Sequence, residues 1–120
     1  MQGGETKSYD LEDRTLNFAR QVRNFAKSTS KTVARLDDIR QLVRSSGSVG
    51  ANYIEANESL SKKDFLMRLK ISRKEAKESI YWLKLLGSDN ESSQDVSSLL
   101  KEAVELRNIL SAIIGKSSRP

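Results

Sequence analysis

The 120-residue chain reads as an all-α protein, an antiparallel up-down-up-down four-helix bundle. Three observations predict this. The single proline is the last residue, so no helix is broken from within. Good helix formers (alanine, leucine, lysine, glutamate, arginine) are plentiful, while aromatics make up only 6%. Apolar residues recur at three- and four-residue steps in four separate stretches, and no segment alternates like a strand. The length suits one domain, at about 10–115, which can bury a core without disulfides or metals.

The elements follow in order. Residues 1–9 read as a disordered tail. The first helix, about 10–28, carries Leu11, Phe18, Val22 and Phe25 on one face, with Ala19 and Ala26 beside them. Asp10, Glu12 and Asp13 favour its start, because carboxylates offset the positive end of the helix dipole. Ser28 to Ser30 interrupt the pattern. The second helix, about 32–57, shows Leu36, Ile39, Val43, Ser46, Gly50, Tyr53 and Asn57 at helical steps. For the third, about 62–86, Ser61 and Asp64 form a capping-box-like start, and Gly87 stands at the C-cap position. Its apolar face is Phe65, Leu69, Ser72, Ala76, Ile80 and Leu83. The fourth, about 93–114, repeats the cap signal with Ser92 and Asp95. Its wide stripe is Val96, Leu99, Leu100, Ala103, Leu106, Leu110 and Ile113, and Gly115 is expected to end it before a tail at 116–120. Short connections make sequential helices antiparallel neighbours.

The stretch SSGSVGANYIEANE (45–58) contains a G-x-x-G of the kind that clamps nucleic-acid backbone in KH domains, but that loop needs a strand-bearing fold. The helical period runs straight through both glycines. Each interior glycine costs about 1 kcal/mol against alanine, so a packing reason is expected. Ser46, Gly47, Gly50 and Ala51 then form a small-residue face that another helix approaches closely. Arg44, Ser48, Asn52 and Glu55 form a polar stripe on a second face. Arg44 or lysines of the third helix are expected to balance Glu55, within or between subunits.

Two segments are apolar nearly all round: IYWLKLL at 80–86, and Asn108 to Ile114. Such helices are buried on more than one side. Ile80, Tyr81, Trp82, Leu85 and Leu86 are therefore candidates for self-association; a thick core at that end of the bundle is the simpler alternative.

Charge is uneven. Residues 14–84 hold 16 Lys and Arg against 7 Asp and Glu, while both flanking regions are acidic; the whole chain is +5. A basic surface attracts polyanions. Arg20, Arg23 and Lys27 share a face of the first helix, and Lys62, Lys63, Lys70, Arg73, Lys74 and Lys77 crowd the third. These nine are the candidate nucleic-acid contacts. Absent histidine and cysteine remove the commonest general base, metal ligand and thiol nucleophile. Glu55 with Glu58 and Glu75 with Glu78 are E-x-x-E pairs on neighbouring helices, but carboxylate metal bundles normally use E-x-x-H. No catalytic residue, metal site or cofactor is expected. The opening MQGGETKSYDLEDR has no apolar run of a signal peptide, and no stretch approaches the roughly 18 apolar residues of a membrane span. With zero cysteine, a cytoplasmic location is the expectation.

The order of these features resembles the four-helix-bundle proteins associated with intervening sequences in bacterial 23S ribosomal RNA genes. The family pattern centres on a second-helix motif close to R-x-x-x-S-I-x-x-N-I-A-E-G, then a basic E-F start to the third helix and a mid-helix glutamate. Here the matching residues are Arg44, Ser48, Val49, Asn52, Tyr53 and Glu55, then Lys62, Lys63, Asp64 and Phe65, then Glu78. Asp10-Leu11 also looks like the family's start. Ala56 stands for the usual glycine, and Lys74-Glu75 for a small Gly-Ser pair, which bears on the contact between the second and third helices. The resemblance implies a ring-like homo-oligomer, a pentamer, with no established enzymatic activity and an association with ribosomal RNA genes. A related group of reverse-transcriptase accessory proteins implies nucleic-acid binding through a basic surface. The expected function is a non-enzymatic homo-oligomer binding structured RNA; the alternative is a protein-interaction scaffold or accessory subunit.

Overall fold

The computed structural model describes residues 7–89 and 93–119. It is a four-helix bundle: α1 (Lys7–Ser28), α2 (Val33–Asn57), α3 (Lys62–Leu86) and α4 (Ser93–Ser117), with a 3₁₀ turn at Gly87–Asp89. Residues 1–6 of the expected N-terminal tail lie outside the described residues, and residues 7–9 belong to α1. The expected cap at Ser92 also lies outside them.

Each helix buries one period-matched stripe. Leu11, Phe18, Val22 and Phe25 of α1 meet Ile39, Leu42, Val49 and Tyr53 of α2, Leu69, Ala76, Ile80 and Leu83 of α3, and Val96, Leu99, Leu106 and Leu110 of α4 in one core. Sequential helices pack on each other and α4 returns to α1, while the α1 and α3 backbones, and those of α2 and α4, stay apart across the core among the described residues. The α2–α3 seam is the most extensive and the α1–α4 seam the slightest. Along α2 and α3 the contacts run in opposite sequence order: Arg35 meets Leu86, Ser45 meets Ser79, and Ser72 meets Val49.

Ser61 caps α3 as expected, accepting from the Asp64 amide at 3.1 Å. Thr32 caps α2 in the same way through the Arg35 amide. The two glycines expected at helix ends differ in outcome. Gly87 is at the C-cap, but with φ −80° it is right-handed and leads into the 3₁₀ turn. A Cβ there would come within 3.1 Å of Val96, so close approach of α4 explains the glycine. Gly115 does not end α4, which runs on to Ser117. Glycine lacks a Cβ but retains its N–H, so it weakens a helix without breaking it; the Ser118 hydroxyl, donating to the Ile114 carbonyl at 2.7 Å, closes the end.

The buried face of α2 is wider than its predicted stripe, because it packs on α1 and α3 at once. Ser45 and Val49 are buried, whereas Asn57 is exposed and donates to Glu12 at 2.8 Å. Of the small-residue face, Ser46 and Gly50 are buried and Ala51 is exposed. The close approach belongs to Gly50, where a Cβ would sit 2.9 Å from the Thr15 hydroxyl of α1; beside Gly47 there is only the Arg23 side chain, at 3.6 Å. No helix of the described residues is long and apolar enough to cross a membrane.

Candidate nucleic-acid interface

The outer face of α3 carries the densest positive charge. Lys63, Lys70, Lys77 and Lys84 recur every seventh residue, and Lys74 sits between them. Seven residues advance a helix by about 10 Å and bring the side chain back to nearly the same face. The result is a ridge roughly 30 Å long. All five side chains are exposed, and none forms an ion pair among the described residues. Alongside, Leu66, Met67 and Ile71 with Lys63, Lys70 and Lys74 line an open groove of about 510 Å³.

The nine sequence-predicted cations do not form one surface. Lys63, Lys70, Lys74 and Lys77 make the ridge. Lys62 donates to the Arg119 carbonyl at 3.1 Å, and half-buried Arg73 lies 3.5 Å from the Ser111 hydroxyl, so both turn toward α4. Arg20, Arg23 and Lys27 are exposed on α1, whose backbone lies across the core from α3. Arg20 and Arg23 instead line a groove of about 360 Å³ between α1 and α2, flanked by half-exposed Leu16 and Ile54. Lys84 was not among the candidates, although the seven-residue repeat from Lys63 points straight to it.

The polar stripe of α2 assembles differently from expectation. Arg44 donates to Glu78 at 2.6 Å and lies 3.2 Å from Glu75 Oε1, both on α3 of the same chain. The N–H groups of Arg44 are not aligned on Glu75, whose buried Oε1 therefore has charge compensation without a hydrogen bond. Asn52 donates to the Ser48 carbonyl at 2.9 Å and faces Arg68 at 3.5 Å. Glu55 is exposed, and neither Arg44 nor a lysine of α3 pairs with it. Three elements here escaped the sequence reading. Buried Ser45 and Ser79 share a hydrogen bond at 2.9 Å, and Ser72 donates to the Val49 carbonyl at 2.7 Å, so serines line the α2–α3 seam. Arg35 is buried and ties Asp89, the Leu86 and Ser30 carbonyls and Thr29 together. Arg14 clamps α1 to α4 through Glu102 at 2.7 Å and Glu105 at 2.6 Å; its hydrogen bond to Glu102 and the second carboxylate hold its pKa above the ordinary arginine value.

The apolar segment at 80–86 divides. Ile80 and Leu86 are buried in the chain's own core, 6% and 1% exposed, because they fall on the stripe facing α4 and α2. They are not surface residues. Tyr81 is 57% exposed and Leu85 40%, with Trp82 half-buried between them. The Tyr81 and Trp82 rings meet edge-to-face, centroids 4.9 Å apart. The end of α4 is likewise absorbed by the core: Leu110 and Ile114 are buried, Ile109 and Ile113 partly so. Glu55 and Glu58 are both exposed, Glu75 and Glu78 are held by Arg44, and no cluster of three potential metal ligands occurs among the described residues.

Comparison with known proteins places this geometry. Residues 7–112 match the model of the family described as 23S rRNA-intervening sequence protein. No curated protein matches. A crystal structure of a protein of unknown function from the S23 ribosomal protein family of Bacteroides thetaiotaomicron is similar with a TM-score of 0.78 and 31% identity, covering 92% of this chain and 99% of that one.

Proposed function

The chain belongs to the 23S rRNA-intervening sequence protein family, and on that premise we propose that it is a non-enzymatic homo-oligomer that binds RNA through α3. One observation carries the reading: five exposed lysines lie on one helix face with no carboxylate partner among the described residues. Every ion pair among the described residues uses an arginine instead. A row of unpaired ammonium groups raises the local positive potential and attracts a polyanion, whose phosphates release condensed counterions to solvent on binding. The contacts are to backbone, so recognition is by shape and charge and not by base sequence. Leu16 and Ile54, half exposed beside the α1–α2 groove, support self-association on a face separate from the ridge. The resemblance implies a ring of five, in which the ridge would repeat around the assembly. The family name adds weight to RNA, and the lack of histidine and cysteine to the non-enzymatic reading.

The test is binding to a structured RNA fragment across a salt series, with the mass of the assembly measured in the same buffers. Affinity should fall log-linearly with salt. Replacing Lys70, Lys74 or Lys77 by glutamine should each reduce the slope by about one while leaving the mass unchanged. Absence of binding at low salt would discard this reading in favour of a scaffold for a protein partner, which the exposed Tyr81, Leu85 and Met67 would serve.

A further inference from the structure

The sequence places Tyr81 and Trp82 in an apolar run that reads as buried. The structure instead leaves Tyr81 57% exposed, on the same outward face as the lysine ridge. Lys77 lies one turn before it and Lys84 one turn after, both exposed and without ion pairs among the described residues. An aromatic ring thus stands between two ammonium groups. In a nucleotide chain, a base similarly lies between two phosphates. The ring is also held: Trp82 meets it edge-to-face at 4.9 Å with the planes at 80°, and Leu85 stands one turn on. An edge-to-face contact leaves ring surface free for stacking.

We infer that Tyr81 is a stacking position for an unpaired base, and that the RNA held by α3 is single-stranded or bulged at that point. This rests on the reading of the lysine ridge. A duplex would use the lysines and gain nothing from Tyr81, because its bases are stacked inside the helix. An unpaired strand gains from both, since every base has an aromatic face. A second copy of this chain fits the patch less well. Burying Tyr81 against protein would also desolvate Lys77 and Lys84, and the nearby acid Glu78 is already held by Arg44.

The experiment uses the full chain with two probes: a fluorescent single-stranded oligoadenylate of about fifteen nucleotides, and a hairpin duplex of equal phosphate count. Wild type, Tyr81→Ala, Tyr81→Phe and Lys77→Gln are compared across a salt series, with thermal melts and assembly mass recorded for each. Tyr81→Ala should weaken single-strand binding by roughly 5- to 100-fold. It should leave the salt slope, the duplex affinity, the melt and the mass unchanged. Tyr81→Phe should stay within about twofold of wild type, since the ring and not the hydroxyl stacks. If Lys77→Gln weakens both probes while Tyr81→Ala changes neither, the ridge stands and the stacking position is overturned. If Tyr81→Ala lowers the assembly mass without altering RNA affinity, a second copy covers the ring and the inference is overturned. If wild type binds neither probe at low salt, the ridge reading itself fails and takes this inference with it.

Discussion

Three helical glycines answer to three surroundings. A Cβ on Gly50 would meet the Thr15 hydroxyl at 2.9 Å and its Cβ at 3.1 Å; on Gly47 it would meet only the flexible Arg23 side chain; on Gly115 it would meet nothing within 4 Å. Alanine gains about 1 kcal/mol over glycine in a helix interior. Gly115→Ala should therefore stabilise the protein by up to about that amount. Gly50→Ala should destabilise it by about 1–3 kcal/mol, since a β-branched side chain on a packed helix has little room to yield. Urea melts of both variants check the opposite signs, and Thr15→Ala should recover part of the loss at Gly50. The sequence marked this stretch as a close-packed helix face because its period crossed the glycines unbroken. It did not distinguish Gly50 from Gly47, because they differ in what stands opposite and not in their own chemistry. Tyr53 shows the same limit: burial raises its phenol pKa above the ordinary tyrosine value, and that burial depends on the helices packed around it.

At the level of elements, the helices were legible because their signals are local. Apolar spacing sets each stripe, and Ser61 with Asp64 sets the start of α3. Contacts that join helices were not. Arg35 looks like any exposed helix cation in sequence, yet it is 5% exposed and bonds to the end of α3, to the 3₁₀ turn and to the α1–α2 connection. It is held by groups as far as 54 residues away, so no window of sequence contains them. Arg35→Met should cost about 2–3 kcal/mol, since the carbonyls of Leu86 and Ser30 lose a charged donor in a partly closed space. Guanidinium unfolding with an unchanged slope and a lower midpoint is the expected result. The same limit applied to the polar stripe. The sequence offered Glu55 on α2 as the acid of this stripe, but Arg44 pairs with Glu75 and Glu78 of α3.

Over the whole molecule, net charge indicated a basic protein and the structure divided it. The arginines of the described ion pairs hold the fold together at Asp89, at Glu75 and Glu78, and at Glu102 and Glu105. The five ridge lysines of α3 form no ion pair among the described residues. A count of charges cannot make that division, because pairing depends on which helices meet. The slight seam between α1 and α4 has a further consequence. Its described ion pairs run through one guanidinium, part-exposed Arg14, so its strength is open to screening by salt. In hydrogen-exchange terms α1 should behave as a separate foldon. Its amides should exchange through an opening less costly than global unfolding, while the central amides of α2 and α3 wait for the whole bundle. Raising the salt, or replacing Arg14 by glutamine, should speed exchange in α1 and leave that of α2 and α3 nearly unchanged.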